Sequence, residues 1–351
     1  MDVGLYKSGL DKLGGFVDSL FLTIPRILKP IKPVRDIDRN TYEKEVDFYI
    51  ENGYADHPER FFDFPDLVPG HQVIEEMPFD DGKRQVVSFK SGYKVKNPLK
   101  RDSYYSHQSN HTGYLVRWTH GDQDRKTVLC LHGYMLGDPA QAEKMFRIRN
   151  LYHMGLDVSL FITPFHWRRA PGSRRQRGIF IQTDDVAMTC ECFGQAMVDL
   201  YSSIQILEDM GSLETGIIGA SLGGYIAALF TCLSNRISFT AMMVPAVNLS
   251  KPFGPGFIKM PFQVDPLLSE KIDRVWEFHS PLKLKPKISG ENILVIASRG
   301  DRLCPFEHVR LLCERWGWPV HRFMTGGHWL VFNGKARGKA WYRFLVDKGF
   351  I

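Results

Sequence analysis

Six short, apolar-rich runs separated by stretches of helical period constrain this chain more than any other feature. They are TVLCL (127–131), DVSLFIT (157–163), ETGIIGA (214–220), FTAMMV (239–244), ILVIAS (293–298) and PVHRFM (319–324). Continuous runs of this length are expected of strands buried on both faces, as in a parallel sheet. Five helical patterns lie between and after them: 144–154, 184–210, 221–233, 305–317 and 336–349. The longest sets Phe193, Met197, Leu200, Ile204 and Leu207 on one stripe, and Gly211 then ends it. Two further strands, RQVVSF (84–89) and GYLVRW (113–118), precede the series. The expected architecture is α/β: a mostly parallel, eight-stranded sheet with helices on both faces.

Two regions stand outside this alternation. Residues 1–80 are expected to form an N-terminal helical extension, and 81–351 the main domain. The stretch 246–290, Pro-rich and apolar in patches, is expected to be a small cap insertion between the last strands. With 351 residues the chain is long enough to bury a large core.

The run at 214–220 leads into Gly219-Ala220-Ser221-Leu222-Gly223, a G-x-S-x-G placed between strand and helix. A turn that sharp needs small residues two positions either side of the serine, and it leaves the hydroxyl exposed at a helix N-terminus. A serine hydroxyl is a poor nucleophile until a histidine takes its proton and a carboxylate orients that histidine. The order Ser, acid, His places the acid after the next-to-last strand and the His after the last. Asp301 follows ILVIAS, and His328 follows PVHRFM and a Gly-Gly pair. Asp265, Glu270 and Asp273 are competing acids, but all lie in the expected cap. An oxyanion hole is expected from the backbone N–H groups of Tyr134 and Leu222. Gly133 lets the first of these come close, and His132 is read as structural or as lining the substrate site.

Together LCLHGYMLG, IGASLGGY, IASRGDRLCP and TGGHWL resemble the sequence marks of the α/β-hydrolase superfamily, in order and spacing, over about 85–350. The resemblance implies the α/β-hydrolase fold and a serine hydrolase. A fainter likeness, in PFHWRRAPGSRRQ and the Gly-Gly-His ending, is to the α/β-hydrolase domain-containing protein 18 family.

The expected chemistry is cleavage of a carboxylic ester, thioester or amide through an acyl-enzyme on Ser221, with no metal or organic cofactor. Transfer of the acyl group to an alcohol by the same residues remains open. So does a non-catalytic scaffold or peripheral membrane role on the same fold. Arg168, Arg169, Arg174, Arg175 and Arg177 follow a strand end, where open sheets place their sites. They read either as a solvated basic loop or arginines paired with nearby acids, or as recognition of an anionic, lipid-like acyl ester, with Arg168 and Arg169 as substrate-binding candidates.

Net charge is +6, and no nucleic-acid module accompanies it, so a nucleic-acid partner is not expected. Residues 16–35, apolar with interspersed Lys and Arg, are a candidate for peripheral membrane contact. Asp18, Pro25 and Arg26 interrupt that stretch and no small-residue cleavage site follows, so a cytoplasmic protein is expected. The six cysteines show no paired spacing, which argues against a disulfide framework or zinc site. Nothing in the sequence speaks to oligomeric state.

Overall fold

The computed structural model describes residues 8–28, 36–121, 124–172, 180–182, 184–249, 260, 262–332 and 334–351, with the backbone alone along 21–28. Nine strands form one sheet: β1 (His71–Phe79), β2 (Gly82–Lys90), β3 (Thr112–Thr119), β4 (Arg125–Leu131), β5 (Asp157–Phe161), β6 (Ser212–Ala220), β7 (Phe239–Met243), β8 (Ile293–Ser298) and β9 (Val320–Met324). Their order is β1-β2-β3-β5-β4-β6-β7-β8-β9. The β1/β2, β2/β3 and β3/β5 pairs are antiparallel. The five pairs from β5/β4 to β8/β9 are parallel. The crossover that puts β5 beside β3 opens the sheet near β4 and β6, where ligand sites of such sheets form.

The eight expected strands are all present, and a ninth joins them. Residues 71–79 belong to the sheet and not to a helical extension. β1 pairs with β2 through a tight turn at Asp80-Asp81, with Asp80 at φ 49°. Seven of its nine residues are exposed, so it lacks the apolar alternation that marks a half-buried strand. The helical pattern at 144–154 is also two helices, α4 (Pro139–Phe146) and α5 (Ile148–His153). They are broken at Arg147, which adopts φ 52°.

Helices cover both faces. One contains α6 (Val186–Asp209), α7 (Leu222–Leu233), α8 (Pro266–Glu277) and α9 (Phe306–Arg315); the other contains α4, α5 and α10 (Gly334–Asp347). The α6 stripe from Phe193 to Leu207 is fully buried. Each such side chain contributes about 1.5–3 kcal/mol by leaving water. Asp185 caps α6 by accepting from Met188 N–H, and Asp265 caps α8 by accepting from Leu268 N–H.

The N-terminal region carries α1 (Gly9–Leu28) and α2 (Arg39–Glu51), and a short α3 (Arg101–Tyr105) lies between β2 and β3. α2 packs on α8: Tyr49 stacks on Phe278 at 5.7 Å, Lys271 pairs with Asp47 at 2.8 Å, and Arg39 pairs with Asp265. The insertion expected at 246–290 therefore lies, along α8, against α2 and α6. Its residues 250–259 and 261 are outside the described set. Among the described residues no helix is long and apolar enough to cross a membrane.

Candidate active site

Ser221 stands between β6 and α7 at φ 56°, ψ −115°. A serine there is strained by roughly 1–3 kcal/mol, and surrounding contacts must impose it. They do: Ser221 N–H donates to Met243 O at 3.0 Å, and Ser221 O accepts from Tyr225 N at 3.1 Å and Ala246 N at 3.0 Å. The two motif glycines make room. A Cβ on Gly219 would lie 2.2 Å from Gly223 O, and one on Gly223 would lie 1.9 Å from Leu131 O. Any side chain at 223 would push the elbow off the end of β4.

The acid and base meet at the ends of β8 and β9. Asp301 is buried, and its Oδ1 accepts from Leu303 N at 2.9 Å and Cys304 N at 2.7 Å. Its Oδ2 lies 2.8 Å from His328 Nδ1. With Nδ1–H donating to that carboxylate, Nε2 carries the lone pair and can accept a proton. Burial raises the Asp301 pKa, and the His328 hydrogen bond opposes it. Burial works against a charged His328, yet the neighbouring Cys304 and Asp301 outweigh it and hold the imidazole well above its ordinary value. Burial also raises the Cys304 pKa, against the pull of the neighbouring His328.

Cys304 was not singled out from the sequence. Its Sγ lies 3.9 Å from Ser221 Oγ and within hydrogen-bonding reach of His328. Ser221 Oγ makes its contact there, and among the described residues no direct Ser221–His328 hydrogen bond forms. Asp301, Cys304 and His328 offer ligand atoms within 4.8 Å of one another, the one such cluster among the described residues. All six cysteines are buried and free.

Across the cleft, Gly133 packs on the serine, an ideal Cβ there lying 3.5 Å from Ser221 Cβ. Two buried histidines hold this loop. His132 donates from Nδ1 to Gly133 O at 2.9 Å and accepts at Nε2 from Thr163 N at 3.2 Å. His166 accepts at Nε2 from Met135 N at 3.1 Å and donates from Nδ1 to Pro164 O at 2.8 Å. Burial depresses the pKa of His132 to about 4 and that of His166 to about 3, so both are neutral scaffolding. Both nitrogens of the buried His132 serve the backbone, the structural one of its two expected roles. Tyr134 sits at the tip of the loop they brace. Leu222 is the first residue of α7, so its N–H has no acceptor within the helix.

Of the alternatives for the arginines, pairing with nearby acids is what the two described ones show. Arg169 is fully buried, 2.6 Å from Asp199, and also donates to Ile162 O and Asn110 O. Arg168 pairs with Glu75 at 2.5 Å and lies over the Trp167 ring. Both guanidiniums are engaged by the protein and not turned to a ligand. Arg174, Arg175 and Arg177 lie outside the described residues.

Comparison with solved structures identifies the fold that carries these residues. The acetyl xylan esterase from Paenibacillus sp. R4 superposes with a TM-score of 0.56 at 12% identity, covering 93% of this chain and 99% of that one. Acetyl xylan esterase 1 from Thermoanaerobacterium sp. JW/SL YS485 gives 0.55 at 13%, covering 90% and 99%. The chain has the α/β-hydrolase fold. In sequence it is similar to two Mycobacterium tuberculosis proteins, the uncharacterized proteins MT2702 and Rv2627c. Each is 27% identical over 350 residues, 96% of this chain and 82% of theirs. No family model matches the chain.

Proposed function

We propose that this α/β-hydrolase-fold protein is a serine hydrolase that cleaves a carboxylic ester through an acyl-enzyme on Ser221. The observation that carries the reading is the strained serine at the elbow, facing the buried His328–Asp301 pair. In the reaction, Ser221 Oγ turns from Cys304 toward His328 Nε2 as substrate enters. Catalytic hydrogen bonds of free enzymes often tighten only in the complex. Oγ attacks the acyl carbon and its proton passes to Nε2. The carbonyl electron pair moves onto oxygen, where the Tyr134 and Leu222 N–H groups receive it, at about 3 kcal/mol per donor. Collapse expels the alkoxide, which takes the proton from Nε2. Water then repeats the steps to release the acid; an alcohol in its place would give acyl transfer, and thioesters and amides would follow the same route.

The substrate reading is a lipid-like acyl ester. With Arg168 and Arg169 engaged by carboxylates, anion recognition loses its described support. Apolar surface remains instead: Met135 next to the oxyanion loop and Trp329 next to His328 are 58% and 55% exposed. Phe16 and Leu20 on α1 are exposed as well, which favours the peripheral membrane contact proposed for residues 16–35. The test is a series of p-nitrophenyl esters from acetate to dodecanoate, with acetylated xylan for comparison, on wild type and Ser221→Ala. Turnover that rises with chain length and vanishes in the variant is expected. Equal rates for the two proteins would overturn the assignment.

A further inference from the structure

We propose that Asp18, on the N-terminal helix, is a positioning residue for the acid–base pair, so that α1 is a working part of the active site. The proposal rests on the serine-hydrolase reading above.

The face that α1 turns inward is unusual. Asp11, Gly14, Gly15 and Asp18 recur at steps of three, one and three, so they share one side of the helix, and all four are buried. Leu10, Leu13, Phe16 and Leu20 are exposed by 43–57%. A helix held by ordinary core packing turns its apolar stripe in and its carboxylates out. Over residues 9–20, where its side chains are described, α1 does the reverse, so burial of apolar side chains there does not explain its docking.

What it docks on explains the inversion. Gly14 meets the backbone of the base loop: a Cβ there would lie 2.1 Å from Gly327 N. A Cβ on Gly300, in the acid loop, would lie 2.1 Å from Asp11 O. Helix and loop backbones thus touch with no side chain between them. The two carboxylates then capture the amides of those loops. Asp11 Oδ1 accepts from Gly326 N at 2.8 Å. Asp18 Oδ2 accepts from Arg302 N at 3.1 Å and from His328 N at 2.8 Å, and Oδ1 from Trp329 N at 3.4 Å. One fully buried carboxylate therefore ties the residue after Asp301 to His328 itself. Hydrogen bonds from several amides offset the cost of burying that charge. The direct bond from Gly300 N to Gly326 O, at 2.8 Å, joins the same two loops and leaves α1 to set their distance from the elbow.

Displacing a base by about 1 Å costs on the order of 100-fold in rate. Asp18→Asn keeps the shape but turns an NH2 group toward amides that themselves donate. Gly14→Ala lifts the helix off the base loop and touches no carboxylate. Both variants, with Leu13→Ser on the outer face as control, are to be assayed for kcat and KM on the best ester and for the rate of Ser221 labelling by a fluorophosphonate, alongside thermal unfolding. The expected result is a roughly 10–100-fold fall in kcat and in labelling rate for Asp18→Asn and Gly14→Ala, per folded molecule, with KM little changed and Leu13→Ser at wild-type rates. Wild-type kcat and labelling rate in folded Asp18→Asn and Gly14→Ala, with only the melting temperature lowered, would overturn the proposal and leave α1 a structural strap. Failure of the wild type itself to label would instead count against the serine-hydrolase reading.

Discussion

The elbow and the acid–base loops are built in opposite ways. The elbow is set largely by its own stretch of chain: two glycines four residues apart, a strand before and a helix after, with backbone bonds to Met243 and Ala246 of the next strand and loop, hold Ser221 at φ 56°. The loops that carry Asp301 and His328 have no such autonomy. They are tied to each other, and their amides are held by carboxylates about 300 residues earlier in the chain. A nucleophile can be set by its own neighbourhood, whereas a base that must meet it from another strand depends on distant support. The prediction is that damage to each region has a distinct signature.

The largest effect expected short of removing the serine comes from the acid. Asp301→Asn should lower kcat by roughly 10⁴-fold, because the amide no longer selects the Nδ1–H tautomer. It should also move the pH profile. A protonated imidazole accepts nothing, so wild-type activity should rise with pH through the His328 pKa, which lies above its ordinary 6.5. Removing the Asp301 anion removes one of the influences that raise that pKa. The acid limb of kcat/KM should shift to lower pH, and an unshifted limb would show that Asp301 does not stabilise the imidazolium.

The elbow should fail structurally instead. Gly223→Ala forces a methyl into Leu131 O and should cost about 3 kcal/mol in urea unfolding, losing activity with the fold. A stable but slow Gly223→Ala enzyme would blur the contrast between the two regions. Smaller for catalysis are the two arginines. Arg169→Ala strands Asp199 in the core and should cost about 3–5 kcal/mol in stability. Arg168→Ala should change stability by no more than about 0.5 kcal/mol and leave KM for a neutral ester unchanged. A raised KM specific to anionic esters in Arg168→Ala would restore the substrate-binding expectation.

The same contrast explains what could be read from the chain. β4 to β8 announce themselves because a strand buried on both faces must be apolar along its length, and Ser221 because its turn demands glycines nearby; the edge strand β9 is mostly exposed and shows itself only by its place before the Gly-Gly-His loop. β1 was hidden by its exposure. Arg169 stays ambiguous in the sequence because charge alone does not say whether the partner is a ligand or, as here, an aspartate 30 residues on in α6. Asp11 and Asp18 left one trace, acidic residues seven apart around a Gly-Gly pair in a helix that is largely apolar. Nothing local says that such a face meets the His328 loop. Cys304 left none, since its place depends on how the acid loop closes beside the serine.

Everything proposed for the reaction depends on Ser221 being an activated nucleophile. Labelling wild type and Ser221→Ala with a fluorophosphonate, read by intact mass, tests it. A single adduct on wild type and none on the variant is the result predicted. An adduct that persists in Ser221→Ala, on Cys304 or elsewhere, would contradict it and move the reactive group off the elbow.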